Sequence, residues 1–387
     1  MKKKIKFLSL LSLTSLGAVT PMFFASACNN KQEEAKIIRM HLGDPYSKQD
    51  VIKANLENHF NSYLKSQDLN YKVAIEFTED DNYATVKEKI LKKEIDLGFV
   101  SAGSTYHSKE EMSISGIYPL VQTYTRKFAG EIKNAGYVDG SATDPLRVSA
   151  ANEEAIFKSK PRQDWNNEGD LGMDFDGAIY RKVYDAEDAL VPYQRGLFVI
   201  VATPDMTQEI VKAWNEKDLT SFVSYGLGIG SADSGSKYLL PEALMKKHFG
   251  KQFLSFKDLQ AKYSEKVIKT KTKKANDQKN ENIHIFMDNE GFYGYSKVES
   301  NDPYTPSAET RPGQEISFLT VTEKLPYNVA LVNSKTIPTD VAKALGQAFV
   351  ELQKGDNSWG ATQGFNSYAV IENPEDAYWK VLKETLG

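Results

Sequence analysis

Apolar positions along this chain switch between two spacings, and they switch in a repeating order. The run KIIRMHL (36–42) reads as a short strand. In KQDVIKANLENHFNSYLK, residues Ile52, Leu56, Phe60 and Leu64 fall four apart, one face of an amphipathic helix. Tyr71, Val73, Ile75 and Phe77 then alternate as in a half-buried strand, and Val86 and Ile90 return to helical spacing. IDLGFV (95–100) is brief and wholly apolar, which suits a parallel strand covered on both faces. The order βαβαβ is that of an open parallel sheet.

A second set begins after residue 195. GLFVIVA (196–202) reads as a central strand, TQEIVKAWNEK as a helix with Trp214 on its apolar side, and YGLGIG (225–230) as a short strand. NIHIFMD (282–288), ISFLTVT (316–322) and YNVALVN (327–333) are strand-like, and TDVAKALGQAFVELQK predicts a well-capped helix with Val341, Leu345 and Phe349 on one side. Between the sets, residues 130–194 are rich in Gly, Asp and Asn and show little periodicity. Residues 264–281 read as a charged surface loop with a solvated lysine run.

The N-terminus adds a destination. MKKKIK is followed by an apolar run and by Ala25-Ser26-Ala27-Cys28, the basic head, apolar middle and small-residue end of a signal peptide. Cys28 is the single cysteine in 387 residues, so it has no internal disulfide partner. A cysteine directly after the small residues fits a bacterial lipobox, with Cys28 the acylated new N-terminus and NNKQEEAK a tether. More than one acyl chain is needed for stable retention. The expected location is the cell membrane, lipid-anchored at the extracellular face. Formal charge is −4, and removing residues 1–27, with four lysines and no acid, leaves −8. An acidic chain argues against nucleic acid as a partner. The expected layout is 1–27 signal peptide, 28–36 lipidated cysteine and tether, 37–128 plus 317–387 lobe 1, and 129–316 lobe 2. The fold class expected is α/β, a two-lobe binding-protein-like fold with mainly parallel sheets flanked by helices and a ligand cleft between the lobes.

One stretch carries more small polar residues than a helix start needs. GIGSADSGSKYLLPEAL puts Gly228, Gly230, Ser231, Asp233, Ser234, Gly235 and Ser236 ahead of a helical pattern. One capping residue would suffice. Glycines let a ligand approach the backbone, serines add donors, and the helix N-terminus favours an anion. A serine-rich cap without a ligand is the plainer alternative. No zinc-protease, serine-hydrolase or Walker motif occurs, the five histidines lack zinc-ligand spacing, and the lone cysteine is assigned to lipid, so no enzyme is expected. DLGMDFDG (170–177) has an acidic, calcium-like composition but fails the EF-hand pattern, so it reads as a solvated turn, with a loop calcium the alternative.

EDDNYATVKEKILKKEIDLGFVSAGSTY (79–106) and SADSGSKYLLPEAL resemble the phosphonate-type substrate-binding proteins of ABC importers. YVDGSATDPL (137–146), YQRGLFVIV (193–201), KAWNEKDLTSF (212–222), KYLLPEALMKKHF (237–249), HIFMDNEGFYGY (284–295) and PYNVALVNSK (326–335) are similar, in order and spacing, to a subfamily of these. That subfamily is the extracytoplasmic thiamine-binding lipoproteins of wall-less bacteria. The resemblance covers roughly the whole mature chain. It implies a two-lobe binding protein that takes thiamine or thiamine diphosphate to an ABC permease and ATPase. A phosphonate or phosphate-ester binder is one alternative, and a surface adhesin another. Asp233 and Ala232 depart from the phosphonate-binder loop, where hydroxyl residues stand; a carboxylate there suits a ligand with a cationic part better than free phosphate.

The resemblance also suggests ligand-binding residues. Tyr46 occupies the place of a family aromatic, with Asp44 beside it for an amine or cation. Tyr106 stands where phosphonate binders turn a tyrosine to the ligand, with Ser101 and Ser104 as donors or turn residues. His284 matches a family histidine, although a satisfied core histidine is the plainer reading. Arg195 is a diphosphate clamp or a structural salt bridge. Ser231, Asp233, Ser234, Gly235 and Ser236 complete the expected site. Phe292, Tyr293 and Tyr295 read as core or cleft wall, and Trp214, Trp359 and Trp379 as core.

Overall fold

In the computed structural model the described residues are 34–45, 48–78, 83–159, 183–186, 188–295 and 305–387. Cys28, Tyr46 and the acidic loop 170–177 lie outside them. Residues 35–387 form one unit, within which two sheets make two lobes. The first half of the chain supplies β1 (Lys36–Gly43), α1 (Gln49–Ser66), β2 (Tyr71–Thr78), α2 (Tyr83–Leu91), β3 (Leu97–Val100) and β4 (Ile117–Arg126). Helix α1 buries the four residues that its spacing selects, Ile52, Leu56, Phe60 and Leu64. β1 pairs in parallel with β2 and β3. The first sheet runs β14-β4-β13-β3-β1-β2, with β5 (Leu190–Val191) on β4, β13 at Val329–Asn333 and β14 at Ser367–Val370.

The second lobe begins with α3 (Pro145–Lys158), which interrupts the stretch expected to be irregular. Its start is fixed by Asp144, whose carboxylate accepts the backbone N–H of Val138, Asp139, Gly140 and Leu146. Four bonds to one side chain hold a turn that periodicity cannot reveal. There follow β6 (Tyr193–Gln194), β7 (Gly196–Ala202), α4 (Pro204–Asn215), β8 (Leu227–Ile229), α5 (Leu240–Phe249), β9 (Val267–Lys269), β10 (Ile285–Asn289) and β11 (Glu315–Val321). This sheet runs β11-β7-β10-β8-β9.

Both sheets are mixed, which adjusts the mainly parallel expectation. β13, β4 and β14 are antiparallel in the first sheet, and β7 and β11 in the second. The lobe boundary also moves. β11 pairs with β7 in the second sheet, so the chain returns to the first lobe after Val321 and not at 317. The return strand β12 (Leu325–Pro326) pairs antiparallel with β6, so two crossing segments of chain run side by side. α6 (Thr339–Leu352) is where the pattern puts it, but Pro338 occupies its N-cap without a side-chain cap, and burial of Val341, Leu345 and Phe349 holds it instead.

Each lobe has its own apolar core. A third cluster joins Val86 and Ile90 of α2 to Leu239, just before α5, to Leu240 and Ala243 within it and to Leu382 of α8 (Lys380–Leu386), so helices of both lobes share buried surface; between α6 and α8 lies the short α7 (Ser358–Gln363). Trp214, Trp359 and Trp379 are buried, as are Phe292 and Tyr293. Among the described residues no helix is long and apolar enough to cross a membrane.

Candidate ligand cleft

The parallel strands β8, β9 and β10 end on the same side of the second sheet. The residues just before antiparallel β7 are there too, since Gly196 pairs with Asn289 at the end of β10. These ends form one wall of a cleft of about 1240 Å³, whose other wall comes from the first lobe. Ligands of open α/β sheets bind beyond such strand ends.

The serine loop enters this cleft from β8, and the following helix explains its shape. Residues 235–239 form a widened turn that runs straight into α5, whose first turn contains Pro241. Proline has no N–H to return to the carbonyl of Lys237. That carbonyl instead accepts the N–H of Gly230 at 2.9 Å, which ties the loop to the helix start. Ser234 is the cap, its hydroxyl accepting the N–H of Lys237 at 3.3 Å. Ser236 is buried and donates its hydroxyl to the side-chain carbonyl of Asn289. Asp233 is exposed at the cleft and is not the cap. The loop also meets the first lobe. A Cβ on Gly103 would stand 2.7 Å from the nitrogen of Gly235 and 3.2 Å from the carbonyl of Asp233.

Of the expected site residues, the cleft lining brings together Ser101, Arg195, Ser231, Asp233, Ser234, Gly235 and Ser236. Arg195 is 1 % exposed, and its donors are committed: Nε to Glu131 Oε1 at 3.0 Å, Nη1 to the carbonyl of Thr322 at 2.5 Å, and Nη2 to the carbonyl of Ala135 at 2.9 Å. The arginine therefore builds the wall and is not a free clamp. Ser104 turns its hydroxyl back to the carbonyl of Ser101 at 2.7 Å, as a turn residue does. Tyr106 lies elsewhere, in a shallow groove with His107 and Trp379. His284 is buried in the second lobe, with Nδ1 2.9 Å from the carbonyl of Val201, and does not line the cleft. Asp44 does not line it either; its carboxylate accepts Gln49 Nε2, while its carbonyl holds the cleft residue Gln363.

The lysine run is the largest surprise. Lys269, Lys271, Lys273, Lys274 and Lys279 all line the cleft, together with Lys237. The signal was present in KTKTKK: Thr270 and Thr272 are buried while Lys269 and Lys271 are exposed, the period-two alternation of an extended edge. Six lysines line this space together with Asp233, Asp277 and Glu290, and Lys237 stands 3.6 Å from Asp288, so an acidic protein carries a basic pocket. Tyr83, Phe128, Tyr193, Tyr327 and Phe365 supply aromatic surface. Asn328 donates to the hydroxyl of Tyr83 at 2.8 Å, and Tyr327 packs edge-on to Phe365 at 5.7 Å.

Residues 49–387 match the model of a family described as extracytoplasmic thiamine-binding lipoprotein, CypI. The chain belongs to this family. It is 26 % identical to the high affinity transport system protein p37 of Mycoplasma pneumoniae over 349 residues, 86 % of this chain and 88 % of that relative. The p37 protein of Mesomycoplasma hyorhinis is also 26 % identical, over the full length of both. The solved Mycoplasma hyorhinis protein Mh-p37, proposed as a thiamine pyrophosphate transporter, superposes with a TM-score of 0.79 at 22 % identity, covering 91 % of this chain and 99 % of that one. As a family member the chain is an extracytoplasmic, lipid-anchored substrate-binding protein of a high affinity transport system, with thiamine or a related small molecule as its ligand.

Proposed function

We propose that this lipoprotein takes thiamine diphosphate in preference to free thiamine and hands it to its permease. The observation that supports this reading is the lysine-lined end of the cleft beside the serine loop. Free thiamine has no anionic group for six lysines to meet, whereas a diphosphate does. The helix start behind Ser234 adds its partial positive charge on the same side. The tyrosines of the opposite wall offer faces to a cationic heterocycle. The cleft is large enough for a ligand of this size.

The lysines are largely solvent-exposed, so each is worth about 0.2–1 kcal/mol, and their effect depends on salt. The test is calorimetry on the detergent-solubilised lipoprotein with the double substitution Lys269→Ala and Lys271→Ala. Affinity for thiamine diphosphate should fall about five- to tenfold in low salt, and affinity for thiamine should stay unchanged. Equal affinities of the native protein for the two ligands would refute the preference.

A further inference from the structure

The second unusual group in the cleft is an acid. Glu290 is 5 % exposed and lines the cleft, and its carboxyl makes no hydrogen bond to any described residue; only its backbone N–H is engaged, to the carbonyl of Arg195. A buried carboxyl without a partner is costly and needs an explanation. Its surroundings do not supply one. Glu131 and Glu153 lie nearby, against the two cations Arg195 and Lys324. Arg195 is spent on Glu131 and two carbonyls. Lys324 stands 3.9 Å from Glu131 and 4.2 Å above the ring of Tyr193. Glu153 receives the N–H of Gly291 at 2.6 Å, and its second oxygen is buried without a partner. Three carboxyls thus share two cations, and the one that reaches the cleft is the one left over.

Its position along the cleft matters as much as its charge. Glu290 follows β10 and Lys269 ends β9, with β8 between them. Two strand spacings put these exits about 10 Å apart. The serine loop leaves from the middle strand. The β9 exit therefore carries Lys269 and Lys271, and the β10 exit a buried carboxyl with Tyr193 from the segment before β7 and Lys237 held on Asp288.

We infer that Glu290 is the specificity residue for the nitrogen-bearing end of the ligand, a cationic or amino-substituted heterocycle, and that the ligand lies across the strand ends with its anionic end towards β9. The inference rests on the proposed thiamine-type, phosphate-bearing ligand and adds its direction in the cleft. A cationic or N–H-bearing ring supplies the partner that the protein withholds from this carboxyl. Without a ligand, burial and the neighbouring Glu153 push Glu290 well above the usual carboxylate range.

The test uses the detergent-solubilised lipoprotein and three probes: thiamine, thiamine diphosphate and inorganic diphosphate. Glu290→Leu should weaken both thiamine compounds about tenfold and leave inorganic diphosphate unchanged. Glu290→Gln, which keeps the size of the side chain and guards against a folding defect, should weaken the thiamine compounds in the same direction by a smaller factor. Thiamine binding at native strength in both variants overturns the assignment, and so does an equal loss for inorganic diphosphate. A native protein that binds neither thiamine compound overturns the ligand reading itself, a result separable from the first two because it appears before any substitution.

Discussion

Glu153 and His248 are both almost fully enclosed and both held neutral, and they act on stability in different pH ranges. Burial pushes the Glu153 carboxyl up to about 8 from an ordinary value near 4.5. The unfolded chain releases that proton first, so this contribution is complete below about 4.5 and is lost as pH rises towards 8. His248 lies flat on Trp214 at 3.8 Å, with Nε2 2.8 Å from the Trp214 carbonyl, and burial lowers it to about 4. Its contribution is present above its ordinary 6.5 and is lost as pH falls towards 4. The two slopes oppose each other between these ordinary values; above them the His248 contribution is complete, and the two carboxyls raised by burial, Glu153 and Glu290, set the slope. Thermal melts should therefore show a decline from pH 6.5 to 8, of at most about 1.4 kcal/mol per pH unit for one group. Glu153→Gln should flatten that decline; an undiminished slope in the variant would assign it to other groups.

At the scale of elements, the contact between the segment after β3 and the serine loop is tight enough to be tested with one methyl group. Gly103→Ala places a carbon 2.7 Å from the Gly235 nitrogen, and backbone on the far side cannot step aside. The cost falls on the arrangement in which the two lobes touch, so ligand affinity should drop about tenfold while the melting temperature without ligand barely changes. Calorimetry and melts on one sample check both halves. The strands that bear this contact were legible: β3 and β8 sit within the apolar runs that announced them, and α1 buries its four spaced residues. What stayed hidden depends on partners distant in sequence. α3 starts on a carboxylate that gathers four N–H groups. Arg195 stayed open between a clamp and a structural salt bridge because its acceptors, from Glu131 to Thr322, lie up to 127 residues away. The lysine run read as solvated because exposure alone does not say which surface is a cleft. That the serine loop lines the cleft was legible because its surplus of small polar residues is local.

Across the whole molecule, charge is unevenly placed: the chain is acidic at −4, yet its cleft holds six lysines, all within residues 237–279 of the second lobe. The two lobes therefore do different work in time. A polyanion in solution is drawn first to the lobe that carries the lysines, over a range of about 8 Å at physiological ionic strength. The expected later step is engagement of the first lobe, through the contact of the Gly103 segment with the serine loop. Stopped-flow measurements should find an association rate for thiamine diphosphate that falls several-fold between low and physiological salt, with a dissociation rate that hardly moves. A dissociation rate that carries the salt dependence would contradict this division. Capture and residence thus become separately adjustable traits: the number of lysines sets how often a molecule is caught from dilute surroundings, and the fit of two glycine backbones sets how long it is kept.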